Sequence, residues 1–402
     1  MFRREILVGI GAAGLAGRSA LADQVKGLSP MLPAGTREEA RWGTLAGKQP
    51  LIQLADRPPN YEAPIATFRE AITPNDRFFV RYHLAGIPDM KALESWSLPV
   101  GGDAANRQVT LTMEDLRALP QHEISAVCQC SGSRRGLSDP HVAGVQWGYG
   151  AMGCATFHGP RLRDVLAKAE VKPDAVEIWM DGADGPVLPT TPDFSKSLPM
   201  DKAMDDDTIV AIEMNGAPLP LLNGYPARVI VPGWTATYWM KHVNGLHASS
   251  KPLENFWMAK AYRVPANMFP VEHPFTTQDN NQTWPITEMV VNTVIAEPLD
   301  GARVERAGFT VRGVAWDRGS GIRRVEVSLD DGHTWHEARL DRDLGNYAFR
   351  GFSLATGTLH PGTSVVSARA TSNTGEQQVQ ALKWNPAGYH NNVPQKLTVH
   401  VT

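Results

Sequence analysis

From about residue 286 to the C-terminus the chain consists of short alternating runs broken by turn residues, and this pattern constrains the fold more than any other feature. In "MVVNTVIAEPLDGARVERAGFTVRGVAW", "IRRVEVSLDDGHTW" and "QKLTVHV" apolar and polar residues alternate, and turn formers recur roughly every 8 to 12 positions. Successive side chains of a strand point to opposite faces, so each run can bury one face and wet the other. Several such runs in series predict two packed sheets, a β-sandwich. The whole chain shares the bias: 30 Pro, 36 Gly and 11 Trp in 402 residues favour turns and short strands, so sheet is expected to outweigh helix.

A chain of 402 residues exceeds a single core and predicts two or three domains. Its 42% apolar and 20% charged residues and its formal charge of −3 are ordinary for a globular protein and leave no basic footprint for DNA or RNA. The first 22 residues, "MFRREILVGIGAAGLAGRSALA", set Arg3 and Arg4 ahead of an apolar stretch too short to span a membrane, then Ala20-Leu21-Ala22. This reads as an export signal, residues 1–22, resembling the twin-arginine type that carries folded proteins and implying a periplasmic location; an ordinary secretory signal with two arginines is the alternative. Arg3, Arg4 and Arg18 outweigh Glu5, so cleavage would take the charge from −3 to −5.

Three cysteines in an exported chain invite a disulfide, but Cys128 and Cys130 are too close for an easy bridge and Cys154 would leave one thiol over. There is no C-x-x-C spacing for zinc and no C-x-x-C-H for covalent haem. A single thiolate bound to a metal carried by a cofactor remains. Two further stretches stand out. In "TPNDRFFVRYH" turn residues precede an aromatic, β-branched run, so Arg81, His83 and Phe79 are expected on one face of a strand. "NGYPARVIVPGW" reads as a turn and a buried strand from Arg228 to Val231 closed by Pro-Gly, with Lys241 and His242 following in "TYWMKHVNGLH".

Taken together, "TPNDRFFVR", "CSGSRRG", "GVQWGYGAMGCATFHG", "AIEMNGAPLPLLNGYPARVIVPGW" and "WNPAGYHNNV" resemble the sulfite oxidase family of molybdenum enzymes across about residues 65 to 400. The resemblance implies an α+β architecture: an N-terminal arm at 23–64, a mixed α/β molybdopterin domain at 65–270, a linker at 271–285 and an immunoglobulin-like dimerisation domain at 286–402. It implies one Mo-molybdopterin, with Cys130 as the protein's metal ligand, a soft thiolate suited to a polarizable metal. Cys128 and Cys154 are read as small buried hydrophobes. Arg81 and Arg135 are implied clamps for a small dianion, since guanidinium charge does not titrate away. Arg134 is the weaker clamp candidate, because adjacent residues in an extended loop face opposite ways and only one of the pair need reach the site; its alternative role is a structural ion pair or a pterin contact. Tyr262 in "AKAYRVP" matches the active-site tyrosine, with a buried tyrosine bonded to backbone as the alternative. His83, Asp184, Asn223, Arg228, Trp239, Met240 and Lys241 are the implied cofactor contacts; Asn223 stands where the family often has histidine. Arg318, in a turn shortened by one residue, is a further candidate for the pocket, and Arg323 and Arg324 are read as surface strand residues.

No His-Pro-Gly-Gly haem signature occurs, the similar "HPGT" at His360 being a turn. The expectation is therefore a sulfite dehydrogenase without haem that passes electrons to a c-type cytochrome, acting as a homodimer with no membrane span. Two alternatives are carried: a sulfane-sulfur dehydrogenase of a thiosulfate-oxidising complex and, from a different class, a noncatalytic exported β-rich binding protein.

Overall fold

The computed structural model describes residue 25 and residues 28–266, 277–279 and 282–402; the export signal expected at 1–22 and part of the expected linker lie outside the described residues. Strands dominate. The α-helices among the described residues, such as Met113–Ala118 and Leu162–Ala167, are six residues or shorter, and none is long and apolar enough to cross a membrane.

The N-terminal arm supplies Arg41–Gly43, Leu51–Ala55 and Asn60–Glu62, three strands of a four-stranded antiparallel sheet completed by Val80–Arg81. Two larger sheets form the body of the first domain. One orders Ser195–Pro199, Glu177–Gly182, Val243–Ser249, Leu98–Gly101 and Val109–Leu111, with a parallel pairing between Val243–Ser249 and Leu98–Gly101. In the other, the nine-residue strands Gln121–Gln129 and Met152–Pro160 pair antiparallel in an unbroken register. Their shared core holds Phe78, Trp147, Phe157, Ile178, Met180 and Tyr238.

The C-terminal region is the β-sandwich that the alternation predicts. Four strands, Asn292–Glu297, Thr310–Trp316, Arg350–Ala355 and Arg339–Leu340, face five: Ala302–Val304, Lys396–Val401, Gly362–Ser372, Ile322–Ser328 and His336–Glu337. Lys396–Val401 buries every second side chain, and Val311, Val325, Val327, Phe352, Val366 and Val399 fill the space between the sheets. Thr283–Pro285, expected as the end of a linker, instead pairs with Arg263–Pro265 and ties the connection to the first domain.

The two domains share an apolar seam in which Phe68, Val127, Met152 and Cys154 of the first meet Val294, Trp316 and Phe349 of the second. Arg134 pins this seam. Its guanidinium donates to the carbonyls of Thr293 and, at 3.1 Å, Val393, and it lies 4.9 Å from the Tyr149 ring centroid. Arg134 is neither the ion pair nor the pterin contact expected from the sequence: it is 2% exposed and its partners are backbone carbonyls of the sandwich. Burial lowers its pKa to about 10, which leaves it charged at neutral pH. Replacing Arg134 by alanine orphans the buried Thr293 carbonyl and the half-buried Val393 carbonyl, at about 1–3 kcal/mol for a buried acceptor. The variant is therefore expected to unfold several kcal/mol more easily in urea, with exposure of the Trp316 seam as the fluorescence signal; an unchanged midpoint would show that the seam does not depend on Arg134.

Candidate active site

Ten of the sequence-derived candidates converge on one cavity: Arg81, His83, Cys130, Asp184, Asn223, Arg228, Trp239, Met240, Lys241 and Tyr262. Phe79, Tyr82, Ser131, Phe194, Leu222, Ala236 and Thr237 also line it. Local structure explains how distant segments reach it. Cys130 follows directly on Gln121–Gln129, and its amide donates 3.0 Å to the Ala151 carbonyl on the facing chain. Alternation along that strand puts Cys128 on the same side, but 0% exposed against 8% for Cys130, and only Cys130 lines the cavity. Cys128 accepts from the Arg228 guanidinium at 3.4 Å and Cys154 from the Phe349 amide at 3.5 Å; burial raises the pKa of both thiols, that of Cys154 to about 12.

Arg81 and His83 share a face, as the extended backbone at Val80–Arg81 requires, and both reach the Tyr262 hydroxyl. The Arg81 guanidinium donates to Tyr262 Oη at 3.4 Å and also to the Tyr82 carbonyl. His83 shares a hydrogen bond with Tyr262 Oη and stacks on Phe194 at 3.7 Å. Burial first, then the charges of Arg81, Lys241 and Lys196, hold His83 well below the usual imidazole range, so it is neutral. Burial raises the Tyr262 pKa, and the Arg81 cation partly offsets this; the phenol keeps its proton. Tyr262 occupies the left-handed region at φ 57° and stacks on Tyr389 at 5.8 Å, so its hydroxyl is held from two sides.

At the other end of the cavity, Arg228 donates to the carbonyls of Asn223 at 3.1 Å and Trp239 at 3.2 Å. Gly224 makes this turn possible: it sits at φ 117°, and a Cβ there would stand 3.2 Å from both the Arg228 and Lys241 side chains. Lys241 donates to the Arg81 carbonyl at 2.7 Å and lies over the Tyr82 ring, which His242 orients by accepting from Tyr82 Oη at 2.7 Å. Lys241 and Asp184 face each other. Burial lowers the lysine and raises the aspartate, and each charge opposes the shift of the other.

Arg135, expected as the second clamp, does not line the cavity. Its guanidinium donates to the carbonyls of Ala387 at 2.7 Å and Val145 at 3.3 Å and lies 5.4 Å from the Tyr389 ring centroid. Gly144, at φ 113°, leaves it room, since a Cβ there would come within 2.8 Å of the guanidinium. The two arginines diverge because Arg134 takes a left-handed conformation and Arg135 begins a 3-10 turn. From behind Tyr389, Arg135 acts on Tyr262 only through its charge. Arg318 is also elsewhere, at the surface with Glu288 at 2.9 Å and Glu376 at 2.7 Å. Arg323 is exposed and Arg324 half-buried on Ile322–Ser328.

The donor set fits a large anionic cofactor that brings a metal with it. Among the described residues, Arg81, Arg228 and Lys241 have no carboxylate within ion-pair distance, and buried cations in that state call for an anion. The Thr237 hydroxyl, buried without a partner, also lines the cavity and remains for a ligand. No cluster of three or more His, Cys, Asp or Glu forms a metal cage among the described residues. A metal at Cys130 therefore needs its remaining ligands from the cofactor.

Comparison with known proteins accords with this geometry. The family model for an oxidoreductase molybdopterin binding domain matches residues 84–257, and that for a Mo-co oxidoreductase dimerisation domain matches residues 283–402. Mitochondrial sulfite oxidase of Drosophila melanogaster is 32% identical over 382 residues, covering 90% of this chain and 65% of that protein. The human enzyme is 35% identical over 306 residues, covering 73% of this chain and 54% of that protein. The chain thus spans about half to two thirds of the length of these relatives. Among solved structures, the sulfane dehydrogenase SoxCD from Paracoccus pantotrophus superposes with a TM-score of 0.73 at 25% identity, covering 98% of this chain and 93% of that one.

Proposed function

This chain belongs to the sulfite oxidase family of molybdopterin enzymes, and from that premise we propose that it oxidises sulfite to sulfate at a molybdenum held by Cys130 and passes the electrons singly to an external c-type cytochrome. The observation that carries this reading is the convergence of the Cys130 thiol, the Arg81 guanidinium and the Tyr262 hydroxyl on one cavity, with Arg81 and Tyr262 3.4 Å apart. Overall, sulfite and water give sulfate, two protons and two electrons. Bound molybdopterin would supply oxygen-atom transfer and storage of the two electrons. The protein's residues do the rest. Arg228, Lys241, Asp184 and Asn223 would hold the cofactor at the inner end. Arg81 binds the anion electrostatically and by forked donors. The protonated Tyr262 donates to a substrate oxygen, and neutral His83 hydrogen-bonds that hydroxyl and relays its proton. Arg135, behind Tyr389, adds positive potential rather than a direct contact.

A leader of the twin-arginine type would deliver the folded, loaded protein to the periplasm, and the sandwich would pair two copies. The purified mature protein is expected to contain molybdenum, to lack a Soret band and to reduce added cytochrome c when given sulfite. With a mature charge of −5 the rate with a basic cytochrome should fall as salt rises. A preparation loaded with molybdenum that consumes oxygen with sulfite and ignores cytochrome would overturn the acceptor assignment. The second reading, sulfane-sulfur oxidation, is favoured by the superposition on SoxCD over 98% of this chain; parallel assays with sulfite and with protein-bound sulfane sulfur separate the two.

A further inference from the structure

Lys48, in the N-terminal arm, carries an ammonium that none of the sequence motifs contains. It is 9% exposed, and Nζ donates at 2.5 Å to Asn223 Oδ1 and at 2.5 Å to the Asn75 carbonyl. Asn223 is held at its other end, where Nδ2 donates 3.2 Å to the Phe79 carbonyl, and its own carbonyl accepts from Arg228 at 3.1 Å. Lys48, Asn223 and Arg228 therefore form one connected chain at the inner end of the cavity, with Lys241 beside it. Burial pushes the pKa of the Lys48 ammonium down to about 7, with Asp76 opposing the shift and Arg228 adding to it, and no carboxylate lies within ion-pair distance of Lys48 among the described residues. Buried cations gathered without a counter-ion raise the energy of the empty site and are neutralised when an anionic ligand enters.

We infer that Lys48 is a positioning residue for cofactor retention: through Asn223 it fixes the Asn223–Arg228 turn and adds positive potential where the anionic end of the cofactor binds. This rests on the reading that the cavity holds molybdopterin. Lys48 itself does not line the cavity, so it acts through Asn223 rather than by contact. The arm thereby closes the cofactor chamber from a point 175 residues away in sequence. It also accounts for Asn223: an amide offers one acceptor to an ammonium while donating to the Phe79 carbonyl.

The test measures pterin release from loaded protein by fluorescence, molybdenum content by mass spectrometry, and melting of the loaded and cofactor-free forms. Loss of a charged hydrogen bond predicts that Lys48→Met releases pterin about ten-fold or more faster than wild type. Lys48→Arg, which keeps charge and donors, should restore most of the retention. Cofactor-free Lys48→Met should melt below cofactor-free wild type, because the Asn223 side chain and the Asn75 carbonyl lose their donor, whereas loaded Lys48→Met should fall further below loaded wild type, because the bound anion also loses a positive charge. A merely structural lysine would lower both melting points by the same amount, and that result, or unchanged release, overturns the inference. Should Lys48→Met not fold, Lys48→Gln carries the same comparison. Wild-type protein that holds no molybdopterin would instead sink the cofactor reading itself.

Discussion

Cys130→Ser should give a protein with no measurable sulfite turnover, while Cys128→Ser keeps kcat within about ten-fold of wild type. The contrast follows from exposure and partners. Cys130 opens into the cavity beside Arg81, whereas Cys128 is 0% exposed and only accepts from Arg228 at 3.4 Å. A serine hydroxyl is harder and far less acidic than a thiol, so it cannot replace a thiolate on a soft, redox-active metal. At position 128 the same change exchanges one buried acceptor for another. Activity per molybdenum, measured for both variants, decides the matter: a dead Cys128→Ser with an active Cys130→Ser would reverse the assignment.

Arg81→Gln should raise the KM for sulfite strongly and cost kcat/KM roughly ten- to a hundred-fold, because a hydrogen bond to a charged partner contributes about 1.5–3 kcal/mol. Its geometry is set before substrate arrives: the guanidinium is fixed by the Tyr82 carbonyl and by Tyr262 at 3.4 Å, so its charge is oriented at little entropic cost. Glutamine can occupy part of that space but brings no charge, so the loss falls on anion binding more than on turnover. Steady-state sulfite kinetics normalised to molybdenum test this. Unchanged kinetics with the metal fully loaded would mean that sulfite is not bound at Arg81, and the sulfane-sulfur reading would take precedence.

Much of the site was legible because its residues lie in short stretches with strong local rules. The extended backbone at Val80–Arg81 puts Arg81 and His83 side by side, and both meet Tyr262. The turn at Gly224 and the strand Arg228–Ile230 follow from Gly, Pro and an apolar run. Lys48, Tyr82, Phe194 and Tyr389 carry no such local mark. A lysine in an arm, a tyrosine just past a strand and a phenylalanine in a loop look the same whether they face a cavity or a core. The pair "RR" was half legible: two neighbours had to diverge, but nothing local said toward what.

The sequence by itself determined the alternating strands of the sandwich, the shared face of Arg81 and His83, and the cationic and thiol chemistry available to the first domain, because each depends on residues a few positions apart and on backbone geometry. Tertiary structure alone decided which of these groups meet. It sent Arg134 into the sandwich to bond Thr293 and Val393, and it placed Arg135 behind Tyr389 with its donors spent on Ala387 and Val145. It also brought Lys48 to Asn223. Apart from the bond to Val145, these contacts join residues more than a hundred positions apart, and their partners are mostly backbone carbonyls, which every residue carries and no motif marks. Only packing the domains against each other selects which carbonyl a buried cation finds.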